Sequence, residues 1–315
     1  MASQNIASLA GGAGGSNLLP RKTSDAIWKK ATAASIVPTL STNTPMILGE
    51  NTFPTLTKRP AASIVGEGGQ KPQSDLEVGS KTVKPIKAVV GLEFTMEAIL
   101  TNPAGVLGLM EEEMGGALAR QVDLAIIHKR QASNGATLTS GVDAITDTTN
   151  VVTLPGTVGA DPDPVLWEGY NKVVDGSGNN FNGFAIDPRL TYILATARDN
   201  QGRRLNPDIN MGTTVGSYSG QPMVNSKTVG GDVDASTDTG LRAIGGDWDA
   251  LRFGYVLDIG VKKIEYGDPF GNGDLQARNC VAYMAEVIFG WAIMDLSAFV
   301  KYNLAPAEPD EPEEP

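Results

Sequence analysis

Apolar residues recur most regularly at Leu107, Met110, Met114, Leu118, Val122 and Ile126, at steps of three and four. That spacing puts them on one face of a helix predicted over residues 103–131. Asn102 suits the N-cap, and Pro103 suits the first helical position with its fixed φ. Glu111, Glu112 and Glu113 lie toward the positive end of the dipole, and His128, Lys129 and Arg130 toward the negative end. At 1.5 Å per residue the element spans roughly 40 Å. Gly115 and Gly116 mark a place for it to bend. It reads as a structural strut.

The chain before the strut is poorer in apolar pattern. Residues 1–18 are mostly Gly, Ala and Ser and offer little to bury. Residues 20–30 suit a short helical turn. From 31 to 57, small and polar residues are threaded with Pro38, Pro45 and Pro54, which predicts an extended arm that builds no core. A long hairpin is then predicted: a short strand over 63–65, the turn Gly66-Glu67-Gly68-Gly69, a polar tip over 70–80, and a return through Val83, Ile86, Val89, Leu92 and Phe94. Lys81, Lys84 and Lys87 crowd that return. A lone two-stranded hairpin is marginal in water, so this one needs a partner surface.

Beyond the strut, strands and helices alternate: a strand over 145–154, a helix over 165–174, a buried strand at Phe184-Ala185-Ile186, a helix over 188–198 and a fragment at Met223-Val224. The pattern suggests an α/β subdomain of about 90 residues. Strands over 250–259 and 261–266, a Gly-rich turn over 267–274 and a return over 281–294 follow. That last strand is apolar on both faces, hence buried on both.

Composition narrows the chemistry. The 315 residues carry a formal charge of −11, five units of it from Glu308, Asp310, Glu311, Glu313 and Glu314 in a Pro-rich tail that reads as solvated. This balance argues against a dedicated nucleic-acid binder and against docking on anionic lipid. One cysteine, Cys280, permits no intrachain disulfide, and a reducing compartment is the simple reading. The longest apolar run, 287–294, is far short of a membrane span, and nothing at the start suggests a signal peptide. His128, the single histidine, has no Gly-x-Ser-x-Gly elbow to serve and reads as a helix-end residue. Cys280 reads as a small buried hydrophobe. Asp232, Asp234, Ser236 and Asp238 alternate as in a calcium loop, but Thr237 stands where glycine is needed. Residues 66–71 and 11–16 are glycine-rich without a phosphate-loop ending. Arg198, Arg203 and Arg204 form a basic cluster, read as a solvated face or as subunit ion pairs. No catalytic, cofactor-binding or metal-ligating residue is assigned, and no enzyme activity is expected.

Taken in order, these pieces resemble the tailed-bacteriophage major capsid proteins of the Hong Kong 97 fold. Val65-Gly66-Glu67-Gly68, Lys71-Pro72 and Ser74-Asp75-Leu76 are similar to that family's opening of the E-loop hairpin. Phe184-Ala185-Ile186-Asp187-Pro188, Asp199-Asn200-Gln201-Gly202-Arg203, Gly220-Gln221-Pro222-Met223-Val224 and Gly246-Asp247-Trp248 are similar to its A-domain motifs. Tyr283-Met284-Ala285-Glu286 resembles its last long strand, with Tyr283 and Met284 replacing an expected basic residue. The resemblance implies an α+β chain with an N-terminal arm (1–62), an E-loop hairpin (63–92) and a P-domain with a spine helix (93–155). It further implies an A-domain (156–250), returning P-domain strands (251–304) with a turn at 267–275, and a tail (305–315). It implies hexamers and pentamers of this chain in an icosahedral head around double-stranded DNA held without specific binding. A separate scaffold protein, a portal and a decoration protein are the implied partners, with assembly in the host cytoplasm and no membrane. Some relatives join subunits by a Lys–Asn isopeptide bond. Lys81, Lys84 and Asn272 lie in those regions without matching that chemistry, and no crosslink is expected. The rival readings are an encapsulin-like nanocompartment shell and a soluble hydrolase using His128.

Overall fold

The computed structural model describes residues 35–101, 106–138, 143–156, 159–177, 179–209 and 216–305. Asn102, Pro103, the turn predicted at 20–30, the Gly-rich stretch 11–16 and the acidic tail lie outside them.

The strut is present as the spine helix, Val106–His128. Its N-terminal half is amphipathic: Met110 and Met114 are buried, while Glu111 and Glu112 face outward. From Val122 to Ile127 every residue is buried, because the helix there is enclosed on all sides. The chain leaves it at Lys129, in the left-handed region with φ 54°. It ends before the predicted 131 because Arg130 already pairs with Thr137 in the following turn. A short helix, Met96–Thr101, precedes it.

The spine helix packs on a three-stranded antiparallel sheet. In this sheet β10 (Cys280–Ile293) runs between β3 (Ile86–Thr95) and β9 (Leu251–Ile264). Phe94, Met110, Met114 and Ala285 fill one part of the interface. Val122, Ile126, Phe253, Phe289 and Trp291 belong to the main core. Strands predicted at 250–259 and 261–266 form the single strand β9.

The subdomain is a six-stranded mixed sheet in the order β4-β11-β8-β5-β7-β6. β5 (Gly183–Ile186), β6 (Ser217–Tyr218), β7 (Gln221–Asn225) and β8 (Leu241–Gly246) come from the predicted segment. β4 (Val151–Leu154) and β11 (Phe299–Leu304) come from either side of it. The sheet therefore extends past residues 156–250. β8 carries no alternation because it is buried throughout, and β11 is buried at Phe299, Val300 and Tyr302 and partly covered at its other positions. The strand predicted at 145–154 is divided into a 3₁₀ turn at Ile145–Asp147 and β4. Helices Asp163–Ser177 and Pro188–Thr196 accompany the sheet, the second capped by Asp187, which accepts from the Arg189 amide at 2.8 Å.

Two expectations fail upstream. The hairpin pairs β1 (Asn51–Lys58) with β2 (Glu77–Val83), from Asn51 opposite Val83 to Lys58 opposite Glu77. Residues 63–65 belong to the connecting loop, and the predicted return breaks at Pro85, whose missing N–H ends one strand before β3 begins in another sheet. Pro54 is tolerated within β1 because a two-stranded ribbon leaves an edge on each strand.

The arm, in turn, does build core. Ile36 and Val37 are fully buried and Met46 nearly so. Ser41 Oγ donates to the Leu251 carbonyl at 2.8 Å, and Thr44 N to that of Phe253 at 2.7 Å. Gly254 and Gly290 stand opposite each other on β9 and β10 and open the channel that seats this strap. A Cβ on Gly254 would overlap the Thr44 carbonyl, and one on Gly290 would stand 2.9 Å from Met46 Sδ.

Candidate functional site

The alternating side chains of the β1–β2 ribbon give it two unlike faces. Phe53, Thr55, Lys81 and Val83 point toward the body of the chain. Thr52, Pro54 and Leu56, opposite Thr82, Ser80 and Val78, are exposed. Leu56 and Val78 form a cross-strand apolar pair that the described residues leave more than half exposed. The connecting loop, 59–76, is exposed along its whole length, and Ile64 is as accessible as in an extended peptide. Leu76 is exposed beside it. Within the loop, order comes from the Ala61 amide donating to Ser74 Oγ at 2.8 Å and from the Gly66–Gly69 turn.

The root of the ribbon is fixed. Lys81 Nζ reaches the Asp143 carboxylate and donates to the Ile293 carbonyl at 2.7 Å. Trp291 Nε1 donates to the Asp143 carbonyl at 2.9 Å. Lys84 pairs with Glu50 at 2.9 Å and Lys87 with Glu286 at 2.6 Å. The lysines that crowd the predicted return are thus tied within the chain, and the free surface lies beyond them.

The turn between β9 and β10 is the second projecting surface. Asp268 accepts from the amides of Asn272 at 2.8 Å and Gly273 at 2.9 Å. The turn folds back on β3, where the buried Glu93 carboxylate meets Arg278 at 2.5 Å and the Asn272 amide at 3.3 Å. Burial works to raise the pKa of Glu93, but the hydrogen bond and charge of Arg278, with the Asn272 amide, hold it below the usual value. The Phe270 ring covers Gly91, where a Cβ would strike it. Tyr266 remains exposed at the turn's base. Sequence reasoning overlooked Glu93 as an anchor, because its partners come from a distant loop.

The other singled-out residues are structural. His128 Nε2 bonds the Val229 carbonyl at 2.9 Å and that of Thr228 at 3.2 Å, and burial pushes its pKa down to about 4. The ring is therefore neutral and held between those two carbonyls. Cys280 is buried, and burial with Glu93 nearby raises its thiol pKa. Asp234 pairs with Arg120 at 3.0 Å, and Asp238 with Arg189 at 2.5 Å and Arg242 at 2.9 Å. The candidate calcium loop is thus a set of ion pairs. No group of three or more metal-ligating side chains occurs among the described residues. Arg203 pairs with Asp199 at 2.9 Å, while Arg198 and Arg204 bond the carbonyls of Gly202, Ala195 and Ile209, so this cluster braces its own loop.

Comparison with known proteins places the whole fold. A family model described as the phage capsid family matches residues 15–304. The chain is 25% identical over 298 residues to a protein named Probable major capsid protein gp17 of Mycobacterium phage D29, covering 90% of this chain and 88% of that one. A solved structure from Gordonia phage Cozz is 68% identical with a TM-score of 0.87, covering 95% of each chain. One from Mycobacterium phage Ogopogo is 34% identical with a TM-score of 0.80, covering 91% of this chain and 97% of that one.

Proposed function

The chain belongs to the phage capsid family, and from that premise we propose how its surfaces divide the work of a major capsid protein. It is an α+β structural protein of the Hong Kong 97 type whose place is the virion. The ribbon 51–83 lies across a neighbouring copy, the turn 267–279 meets further copies, and the arm spans the junction between them. Together they close hexamers and pentamers into an icosahedral head. The observation that carries this reading is the uncovered outer face of the ribbon, with Leu56, Val78, Leu76 and Ile64 bare to solvent. Apolar groups in such a patch gain roughly 25 cal/mol for each Å² covered, and a ribbon of two strands is too small to be held by its own contacts.

The net charge of −11 suits a wall that contains double-stranded DNA without gripping it, since phosphate contacts require Lys and Arg. A separate scaffold protein, a portal and a decoration protein are the expected partners, with assembly in the host cytoplasm. Surfaces built from apolar and backbone groups make assembly, and not catalysis, the role of this chain.

Replacing both Leu56 and Val78 with Asp tests this. The expected product is a folded, soluble subunit with an unchanged circular dichroism spectrum that forms no closed particles by electron microscopy. Normal particles from that variant would remove the ribbon face from the interface.

A further inference from the structure

The spine helix carries one carboxylate, Asp123, that is wholly buried and bonded to two other parts of the chain. From the arm, Ser35 Oγ donates to it at 2.8 Å, the Ile36 amide at 3.0 Å and the Val37 amide at 3.5 Å. From the loop after β7, Thr228 Oγ1 donates at 3.0 Å. That hydroxyl is also 2.8 Å from Ser226 Oγ, and the Ser226 amide donates to Ile186 at the end of β5. One helical turn on, His128 holds the carbonyls of the same loop. Among the described residues the arm packs beside the sheet, Leu40 next to Gly183 of β5, and the hydrogen bonds of the arm and of the 226–229 loop meet at Asp123.

We propose that Asp123 is a clasp that couples docking of the arm to the position of the 226–229 loop. The physics is that of a buried charge: it is tolerated only when every lone pair is met, and each donor strengthens the others in a low-dielectric site. Loss of the arm's three donors leaves a carboxylate that the loop's hydroxyl cannot satisfy alone, so the loop loosens with the arm. The reverse holds equally, since the coupling is reciprocal. If the arm serves assembly as read above, withdrawing it toward a neighbour frees the sheet-bearing half to move against the spine helix. The coupling itself does not depend on that reading.

Hydrogen exchange on the full-length chain tests it with substitutions that remove one hydroxyl each. Thr228→Val deletes the loop's donor and leaves the arm untouched. The expected result is at least tenfold faster exchange in the segment containing the Ile36 and Val37 amides. Ser35→Ala is expected to speed exchange in the 226–231 segment by a similar factor, and the double variant to add little to either single one. Effects confined to the substituted segment, or adding in full, would overturn the clasp while leaving the capsid assignment intact.

Discussion

Asp123 and His128 sit within two turns of each other on the spine helix and titrate in opposite senses. Burial raises the Asp123 pKa from 3.8 to about 6, against the pull of its donors. Its contribution to stability is therefore complete below the unfolded value and lost as pH rises through about 6. Burial lowers the His128 pKa from 6.5 to about 4, so its contribution is present above about 6.5 and lost as pH falls toward 4. Between these limits the two largely cancel, each by about 1–3 kcal/mol. Removing one partner uncovers the other. Relative to wild type, Asp123→Asn should lose melting temperature progressively from pH 6.5 to 4.5, whereas His128→Asn should gain it. Parallel curves for all three proteins would refute the cancellation. Neither role was legible in the sequence. Asp123 was one polar residue in a helix, and its partners stand 87 and 105 positions away.

Elements were legible where a period ran long enough to be read. The spine helix announces itself through Met110, Met114, Val122 and Ile126, whereas the strap over 35–46 carries prolines and small residues and looks like linker. Its burial is decided elsewhere, by the glycine pair Gly254 and Gly290 that makes room for it. β1 was hidden for a related reason, since Pro54 reads as a breaker until both edges of its ribbon are known to be free. The seat of the strap gives a prediction at this scale. Gly254→Val forces a side chain into the space of the Thr44 backbone, and overpacking of this kind costs about 1–3 kcal/mol. The expected outcome is a melting temperature lower by several degrees, with protease cleavage advancing into residues 40–48. Unchanged cleavage would mean that the channel yields more easily than its packing implies.

At the scale of the whole molecule, the surfaces proposed for assembly differ in how they read: the loop 59–76 adds little to any core pattern, whereas the turn 267–275 sends Leu275 and Phe270 into a small core of its own. The joining of the two halves was not legible, because β4 and β11 enter the six-stranded sheet from opposite ends of the segment it was assigned to. The acidic tail contributes charge and little that could be buried. Deleting residues 308–315 removes five carboxylates and should change the melting temperature by less than about 2 °C. A larger fall would show that the segment is bound to the folded body.

The strap also bears on how the chain is made. Its seat is built from Phe253, Gly254 and Gly290, so the strap over residues 36–46 has nowhere to dock until most of the chain has left the ribosome. Lys81 waits longer, for the carbonyl of Ile293. Domains usually fold as units during synthesis, but here the strap and the root of the ribbon gain their partners only when translation is nearly complete. On the proposed division of surfaces, an unfinished polypeptide would lack the anchored ribbon, and the order in which the fold closes would keep truncated products out of a growing lattice.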